Sequence, residues 1–377
     1  MNRKPRLLYL VTEDFYFCSH RLPLAVAARN EGFDVIVATR VQRHGDQIRA
    51  AGLDLVPLVL DRHGHNPLRE LAALSEIVGI YRRLRPDLAH HVAIKPVLYG
   101  SVAARLARTP VVINAIAGMG YVTSSNDLRA RVLRPVIQTA YRLVFNGSGN
   151  RLIVQNPDDV EALARSHIVD RERVTLIRGS GVDTRHFSPA PAPEGSCLTV
   201  LAARLLRDKG VVEFVEAARL LRAQGVKARF ALVGEPDPSH PAQIAQSEIE
   251  RWRSEGVIEY WGWRETMREV YQQAHVACLP SYREGLPKAL IEAAACGLPI
   301  VTCDVPGCRE VVRDGDNGFL VPPRTVAPLA HALRRLIDDA AMRARMGARS
   351  RERAVAEFSI ERVVADTLAL YRAALNR

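Results

Sequence analysis

The chain has 377 residues, enough for two domains of ordinary size with a core in each. Hydrophobic residues at 48% and charged residues at 25% fit a soluble globular protein, and a formal net charge of +11 favours an anionic partner such as nucleic acid, an acidic membrane surface or phosphorylated substrates. The opening run, Met1 to Arg6, resembles the start of a signal peptide. The apolar stretch after it ends at Glu13-Asp14, too early for secretion, and no apolar stretch approaches the roughly 18–20 residues of a membrane span, so a cytoplasmic protein with at most peripheral membrane contact is expected.

The continuous apolar run at 7–11 predicts a strand buried on both faces of a parallel sheet. A loop at 12–19 leads into a helix at 20–31, which Gly32 ends, and the next strand is expected at 34–38. The order repeats as helix 67–84, strand 88–91, helix 95–106 and strands at 111–115, 152–154 and 174–177. Residues 179–196 carry three prolines among glycines and serines and read as a linker. Alternation then restarts with strand 198–202, helix 210–224, strands 229–233, 258–261 and 276–279, a helix after Glu284 and a strand at 300–302. Ser359 is placed to cap a last helix over 360–375. This pattern predicts an α/β protein built of two doubly wound parallel sheets.

Residues 281–297, Ser-Tyr-Arg-Glu-Gly-Leu-Pro-Lys-Ala-Leu-Ile-Glu-Ala-Ala-Ala-Cys-Gly, read as a polar loop followed by a helix between two buried strands. Pro287 lacks an N–H and fits the first turn of that helix, so Gly285 and Leu286 stand at a helix N-terminus, where free donors attract phosphate. Glu284 precedes the helix and Glu292 lies about five residues into it, roughly 7–8 Å along its axis. Carboxylates bind sugar hydroxyls well and phosphate poorly. Two of them flanking a phosphate site suit a nucleotide-sugar; paired glutamates as a loop charge and a solvated helix face remain the alternative.

Arg204 and Lys209 follow the first strand of the second half, Gly234 ends the next, and Trp263 and Arg264 follow a third. Solvated cations capping a loop would look the same, but ligands of open α/β sheets bind at such strand ends, where Arg offers a bidentate contact and Lys a point charge. Asp314-Gly-Asp316 could be a metal-binding Asp-x-Asp, yet Asp-Gly and Asn-Gly here mark a hairpin turn. In the first half His20-Arg21 and His90-His91 with Lys95 also follow strands. A histidine there is a candidate base for an acceptor hydroxyl or a phosphate ligand; alternatively His90 and His91 only end a strand, one ring buried and one wet. The segment 128–144 places apolar residues at helical spacing beside Arg129, Arg131, Arg134 and Arg142. It is either a core helix or a basic surface for anionic headgroups. The six cysteines show no C-x-x-C pairing and read as buried free thiols.

The Glu284 to Glu292 pattern, with Pro280-Ser281 before it and Ala-Cys-Gly-Leu-Pro-Ile-Val after it, resembles the E-x7-E signature of the retaining family-four glycosyltransferases of the GT-B fold. The Arg204–Lys209 spacing and the Gly-Val-Asp-x-x-x-Phe-x-Pro run at 181–189 resemble that family's R-x4-K pair and hinge. The Ser-His-Arg-x-Pro and His-x-x-x-Lys-Pro-x-x-Tyr-Gly runs resemble its bacterial branch that assembles glycans on polyprenyl diphosphate. The resemblance implies two domains facing a central cleft: an acceptor-binding domain of 1–183 joined by a returning helix at 360–377, and a donor-binding domain of 184–359. It implies a UDP-sugar co-substrate, a UDP-HexNAc or UDP-hexose, with no metal and no cofactor. Glu284 would contact the donor sugar, Gly285 to Pro287 the diphosphate, Glu292 the ribose, Arg204 and Lys209 the leaving charge, and Gly234, Trp263 and Arg264 the nucleotide. His20 would act in catalysis and Arg21, His91 and Lys95 would hold the acceptor. A UDP-HexNAc 2-epimerase or a silent nucleotide-sugar binder would share the fold. Nucleic acid is disfavoured by the acidic pair in the site and the lack of aromatics among the basic residues. Thr12 to Tyr16 stand where many members have a Gly-Gly loop, and His275 where many have Asp.

Overall fold

The computed structural model describes residues 3–60, 66–116, 139, 141–142, 144–147, 149–238 and 240–376. It divides into two compact units, one of Met1–Ser180 with Glu361–Arg377, the other of Gly181–Ile360. The basic segment 128–144 lies outside the described residues apart from 139, 141, 142 and 144.

In the first unit the strands are β1 (Arg6–Glu13), β2 (Asp34–Arg40), β3 (Asp54–Pro57), β4 (Leu88–Val92), β5 (Val111–Ala115), β6 (Asn150–Val154) and β7 (Val174–Leu176). They form one parallel sheet in the order β3-β2-β1-β4-β5-β6-β7. Apolar side chains leave both faces: Tyr9 and Val37 pack on one side, Leu8 and Ile36 on the other. That is why the run at 7–11 has no polar alternation.

The helix Pro67–Leu84 starts where Asn66 accepts hydrogen bonds from Leu68 N and Arg69 N, with Pro67 at its first position. The helix expected at 20–31 is instead two, Asp14–His20 and Leu22–Asn30, and His20 closes the first rather than opening one. The segment 12–19, expected as a loop, holds the start of a helix whose first residue, Asp14, turns inward. Its carboxylate accepts hydrogen bonds from the N–H groups of Phe15, Gln42, Arg43 and His44 at 2.7–3.0 Å.

The last helix, Ile360–Leu375, packs in the first unit through Val363, Leu368 and Tyr371. Tyr371 OH lies 3.0 Å from Tyr9 OH and also bonds His90 Nδ1.

The second unit holds β8 (Leu198–Ala202), β9 (Arg229–Val233), β10 (Glu259–Gly262), β11 (Val276–Leu279), β12 (Ile300–Cys303) and β13 (Gly318–Val321), all parallel, in the order β10-β9-β8-β11-β12-β13. β13 corrects one expectation. The 314–318 turn joins the short helix Cys308–Val311 to a parallel strand, so it is not a hairpin. Asp314 accepts from Leu320 N at 2.9 Å and Asp316 pairs with Arg349 at 3.0 Å, so both carboxylates serve the turn.

The segment expected to be a linker is stitched to this unit. Arg351 donates to Phe187 O at 2.8 Å and Thr184 O at 2.9 Å, and His275 Nε2 lies 3.0 Å from Pro193 O. All six cysteines are free and five are buried. Among the described residues no helix is long and apolar enough to cross a membrane.

Candidate active site

In the second unit strand order reverses between β8 and β11, and the crevice outside the carboxyl ends of strands at such a reversal is where open α/β sheets bind ligands. Arg204 and Lys209 leave the sheet after β8, Gly234 after β9, Trp263 and Arg264 after β10, and the 281–287 loop after β11.

Backbone bonds lock the two central loops together. Tyr282 N donates to Asp208 O at 2.9 Å, and Ser281 Oγ donates to Asp208 O and Arg283 O, each at 3.1 Å. Lys209 Nζ then reaches Glu284 Oε1 at 2.6 Å, with side chains 20% and 13% exposed. Arg204 Nη1 donates to Asp237 Oδ2 at 2.8 Å.

Gly234, at φ +126°, donates its N–H to Gly262 O at 2.8 Å, and a Cβ there would overlap Ala203 O. A side chain is excluded, which lets the exits of β8 and β9 run side by side.

Pro287 caps the helix Lys288–Ala295 instead of sitting in its first turn. Its backbone is extended at φ −74°, ψ 110°, and its carbonyl accepts from Leu290 N at 3.1 Å and Ile291 N at 3.3 Å. The helix therefore begins one residue later than expected, and its first N–H groups still lack intrahelical acceptors and carry the positive end of the dipole. Gly307, at φ +80°, packs against the carbonyls of Glu284 and Gly285.

Leu286 is buried. Glu292, the fifth helical residue, is buried too, with Oε1 3.5 Å from Lys288 Nζ. Burial raises its carboxyl above the ordinary value, and the Lys288 charge offsets part of the rise. Trp263 is 57% exposed, whereas the Arg264 guanidinium lies 6.0 Å from the Trp261 ring centre. Trp261 and Arg264, with Thr266, Glu269, Val270 and Gln273, line a cavity of about 170 Å³.

In the first unit the reversal falls between β1 and β4. A cavity of about 340 Å³ opens there, with Thr12, Glu13, Tyr16, Ala93, Lys95 and Ile116 in its wall. Lys95 Nζ donates to Glu70 Oε1 at 2.8 Å, and Tyr99 OH bonds the other oxygen of Glu70. His20 stacks on Tyr16 with ring centres 4.1 Å apart, and its Nδ1 lies 2.6 Å from Ser19 Oγ. Arg21 is buried.

His90 and His91 are both fully buried, which corrects the expectation of one wet ring. His91 Nε2 lies 2.7 Å from Tyr81 OH and Nδ1 2.8 Å from Asn114 Oδ1. With both nitrogens taken, His91 has no ring atom left for an acceptor. Burial holds its pKa down at about 4, so the ring is neutral.

Sequence reasoning missed Asp237, Glu70 and Asp14. Asp237 and Glu70 lie far along the chain from Arg204 and Lys95, as Asp14 does from Gln42, Arg43 and His44, and no motif links them. Among the described residues no group of three or more His, Cys, Asp or Glu could hold a metal.

Residues 197–339 match the family described as glycosyl transferases group 1, and residues 6–156 that described as glycosyl transferase 4-like. Over 336 residues the chain is 25% identical to the N,N'-diacetylbacillosaminyl-diphospho-undecaprenol alpha-1,3-N-acetylgalactosaminyltransferase of Campylobacter jejuni, covering 86% of this chain and 87% of that one. It is 32% identical over 278 residues to the alpha-maltose-1-phosphate synthase of Mycolicibacterium smegmatis, covering 68% and 67%. Among solved structures, Anabaena HepE in complex with UDP superposes with a TM-score of 0.78 at 17% identity, over 98% of this chain and 100% of that one.

Proposed function

The chain belongs to the group 1 and 4-like glycosyltransferases of the GT-B fold, and from that premise we propose that it moves a HexNAc or hexose, with retention, from a UDP-sugar to a glycan on polyprenyl diphosphate. The observation that carries the donor half is the Lys209–Glu284 contact of 2.6 Å beside the start of the helix Lys288–Ala295. It joins a cation, a carboxylate and a helix N-terminus at one strand-order reversal. The Campylobacter relative's diphospho-undecaprenol acceptor and the UDP in the Anabaena structure support the choice of partners.

In this reading the bond between the anomeric carbon and the diphosphate oxygen breaks, and a bond to the acceptor hydroxyl oxygen forms on the same face. Negative charge grows on the leaving UDP while the sugar passes through an oxocarbenium-like state. Arg204, Lys209 and the N–H groups at the helix start stabilise that charge, with no metal in the proposed scheme. Glu284 holds the donor sugar and Glu292 the ribose hydroxyls. Gly234 lets the backbone approach the nucleotide, and the Trp263–Arg264 exit of β10 borders the base. His20 is the proposed acceptor of the hydroxyl proton, with Arg21 and Lys95 on the acceptor side. A basic surface at the inner face of the cell membrane would meet the lipid carrier there.

The test is a panel of UDP-sugars assayed for donor hydrolysis and, with a polyprenyl-diphosphate glycan added, for product by mass spectrometry. One extended lipid-linked glycan with the anomeric configuration kept is expected. Epimerised UDP-sugar formed without acceptor, or no transfer from any UDP-sugar, overturns the reading.

A further inference from the structure

Where the helix Asp14–His20 gives way to Leu22–Asn30, the first unit holds a charge that the fold leaves unanswered. Arg21 is 4% exposed, its Nε is buried without an acceptor, and among the described residues no carboxylate stands within ion-pair distance of it. A buried guanidinium is ordinarily paired, because taking an unpaired charge out of water is costly.

His90 lies within reach of that charge and is fully buried, with Nδ1 bonded to Tyr371 OH and Nε2 unpartnered. Burial, then the nearby Arg21 charge, then His91 hold the His90 ring well below its ordinary pKa, so it is neutral. If Tyr371 OH donates to Nδ1, the ring proton sits on Nε2. The corner then presents two buried N–H donors and no acceptor for either. On the same face of the sheet the wholly buried Thr39 also leaves Oγ1 unpartnered.

We propose that Arg21 and His90 form a binding site for a phosphate-class oxyanion, whose oxygens answer both donors. The guanidinium fork matches such oxygens in charge and geometry. The approach is the cavity of about 340 Å³ at the carboxyl ends of β1 and β4. Ala93 in its wall lies three residues beyond His90, and Tyr16 in its wall stacks on His20, the residue before Arg21. The same wall holds Lys95, already paired with Glu70 at 2.8 Å, and the carboxylate of Glu13, so the charge that would draw an anion is that of Arg21. The diphosphate of a lipid-linked acceptor and free phosphate share this chemistry. Assigning the site to the acceptor rests on the function proposed above, whereas an oxyanion site does not.

The experiment uses the full chain saturated with UDP, so that the proposed donor groove of the second unit is occupied. Inorganic pyrophosphate and farnesyl diphosphate are each titrated into the wild type, Arg21→Met and His90→Gln, with calorimetry and melting temperature as readouts. One equivalent is expected to bind the wild type, and Arg21→Met is expected to weaken it by roughly tenfold or more, the loss of a charge-assisted bond.

Without anion, Arg21→Met should melt no lower than the wild type, since it removes an unpaired buried charge; a structural arginine would give the opposite sign. Tighter binding of farnesyl diphosphate supports the lipid-linked source, and equal binding supports free anion. Unchanged pyrophosphate affinity in both variants, or an Arg21→Met protein that melts several degrees lower while a folded His90→Gln protein binds pyrophosphate as the wild type does, overturns the site. UDP binding and sugar transfer without any second anion site would sink this inference and leave the function standing. Failure of UDP to bind would sink the function and leave the anion result to be read by itself.

Discussion

Lys209 and Glu284 neutralise one another directly, Nζ donating to Oε1 across 2.6 Å with both side chains largely out of water. A diphosphate arriving beside this pair meets a cation whose partner can turn to a sugar hydroxyl. Lys209→Ala is therefore expected to lower kcat by about 10²–10³-fold, and Glu284→Gln to lose turnover with the fold intact. Because the two touch, the double variant should lose less than the product of the single losses. Steady-state kinetics with circular dichroism on the three proteins checks this, and wild-type kcat in Lys209→Ala would remove the lysine from the chemistry.

Arg204 is 43% exposed and its ion pair with Asp237 faces solvent, where such pairs contribute little to stability. Asp237→Asn should leave the melting temperature nearly unchanged and tighten UDP binding by freeing the guanidinium for the ligand. Calorimetric titration of UDP reads the effect, and weaker binding in that variant would give Asp237 a role of its own.

Gly234 has a backbone at φ +126° and no room for a methyl group against Ala203 O. Gly234→Ala should cost on the order of 1–3 kcal/mol and depress UDP affinity with it. Urea unfolding followed by circular dichroism measures the first effect.

Glu292 carries a carboxyl raised by burial, so the folded state holds its proton more tightly than the unfolded chain does. The associated stability is present below the unfolded carboxyl pKa and is lost as pH rises through the folded value. Glu292→Gln should thus match the wild type in acid and exceed its melting temperature increasingly toward neutral pH, while binding UDP more weakly. Melting curves from pH 4 to 8 decide it; a gap that shrinks with rising pH would contradict the sign.

Asp14 behaves in the opposite way. Burial alone would raise its pKa, but four backbone N–H bonds outweigh that and pull it below the ordinary value. Its stability is present above the unfolded pKa and is lost as pH falls through the folded one. Asp14→Asn should destabilise the protein at pH 7 and lose that deficit in acid, as the same melting experiment would show.

Much of the fold was legible because strands buried on both faces announce themselves as unbroken apolar runs. The limits of β5, β8, β9 and β11 coincide with such runs. β3 was not legible: it ends in Pro57, carries Asp54 and lies at the sheet edge, where a strand needs little apolar character.

In the second unit, position after a parallel strand brought Arg204, Lys209, Gly234 and Glu284 to one reversal of strand order. Asp237 as the partner of Arg204 and Glu70 as the partner of Lys95 were invisible, since each contact is made by tertiary packing at long sequence separation. His91 shows why direction alone is insufficient. Alternation told that His90 and His91 point to opposite faces, but it could not tell that helices cover both.

Tyr371, contributed by the last helix, lies at the heart of the first unit with Tyr9 and His90. On the ribosome the amino-terminal half must therefore wait, its core unfinished, while more than half the polypeptide is still being made. Nascent chains stalled before residue 360 should be open to protease in the first unit, and release of the last helix should seal it. The order of synthesis and the order of maturation are thereby uncoupled.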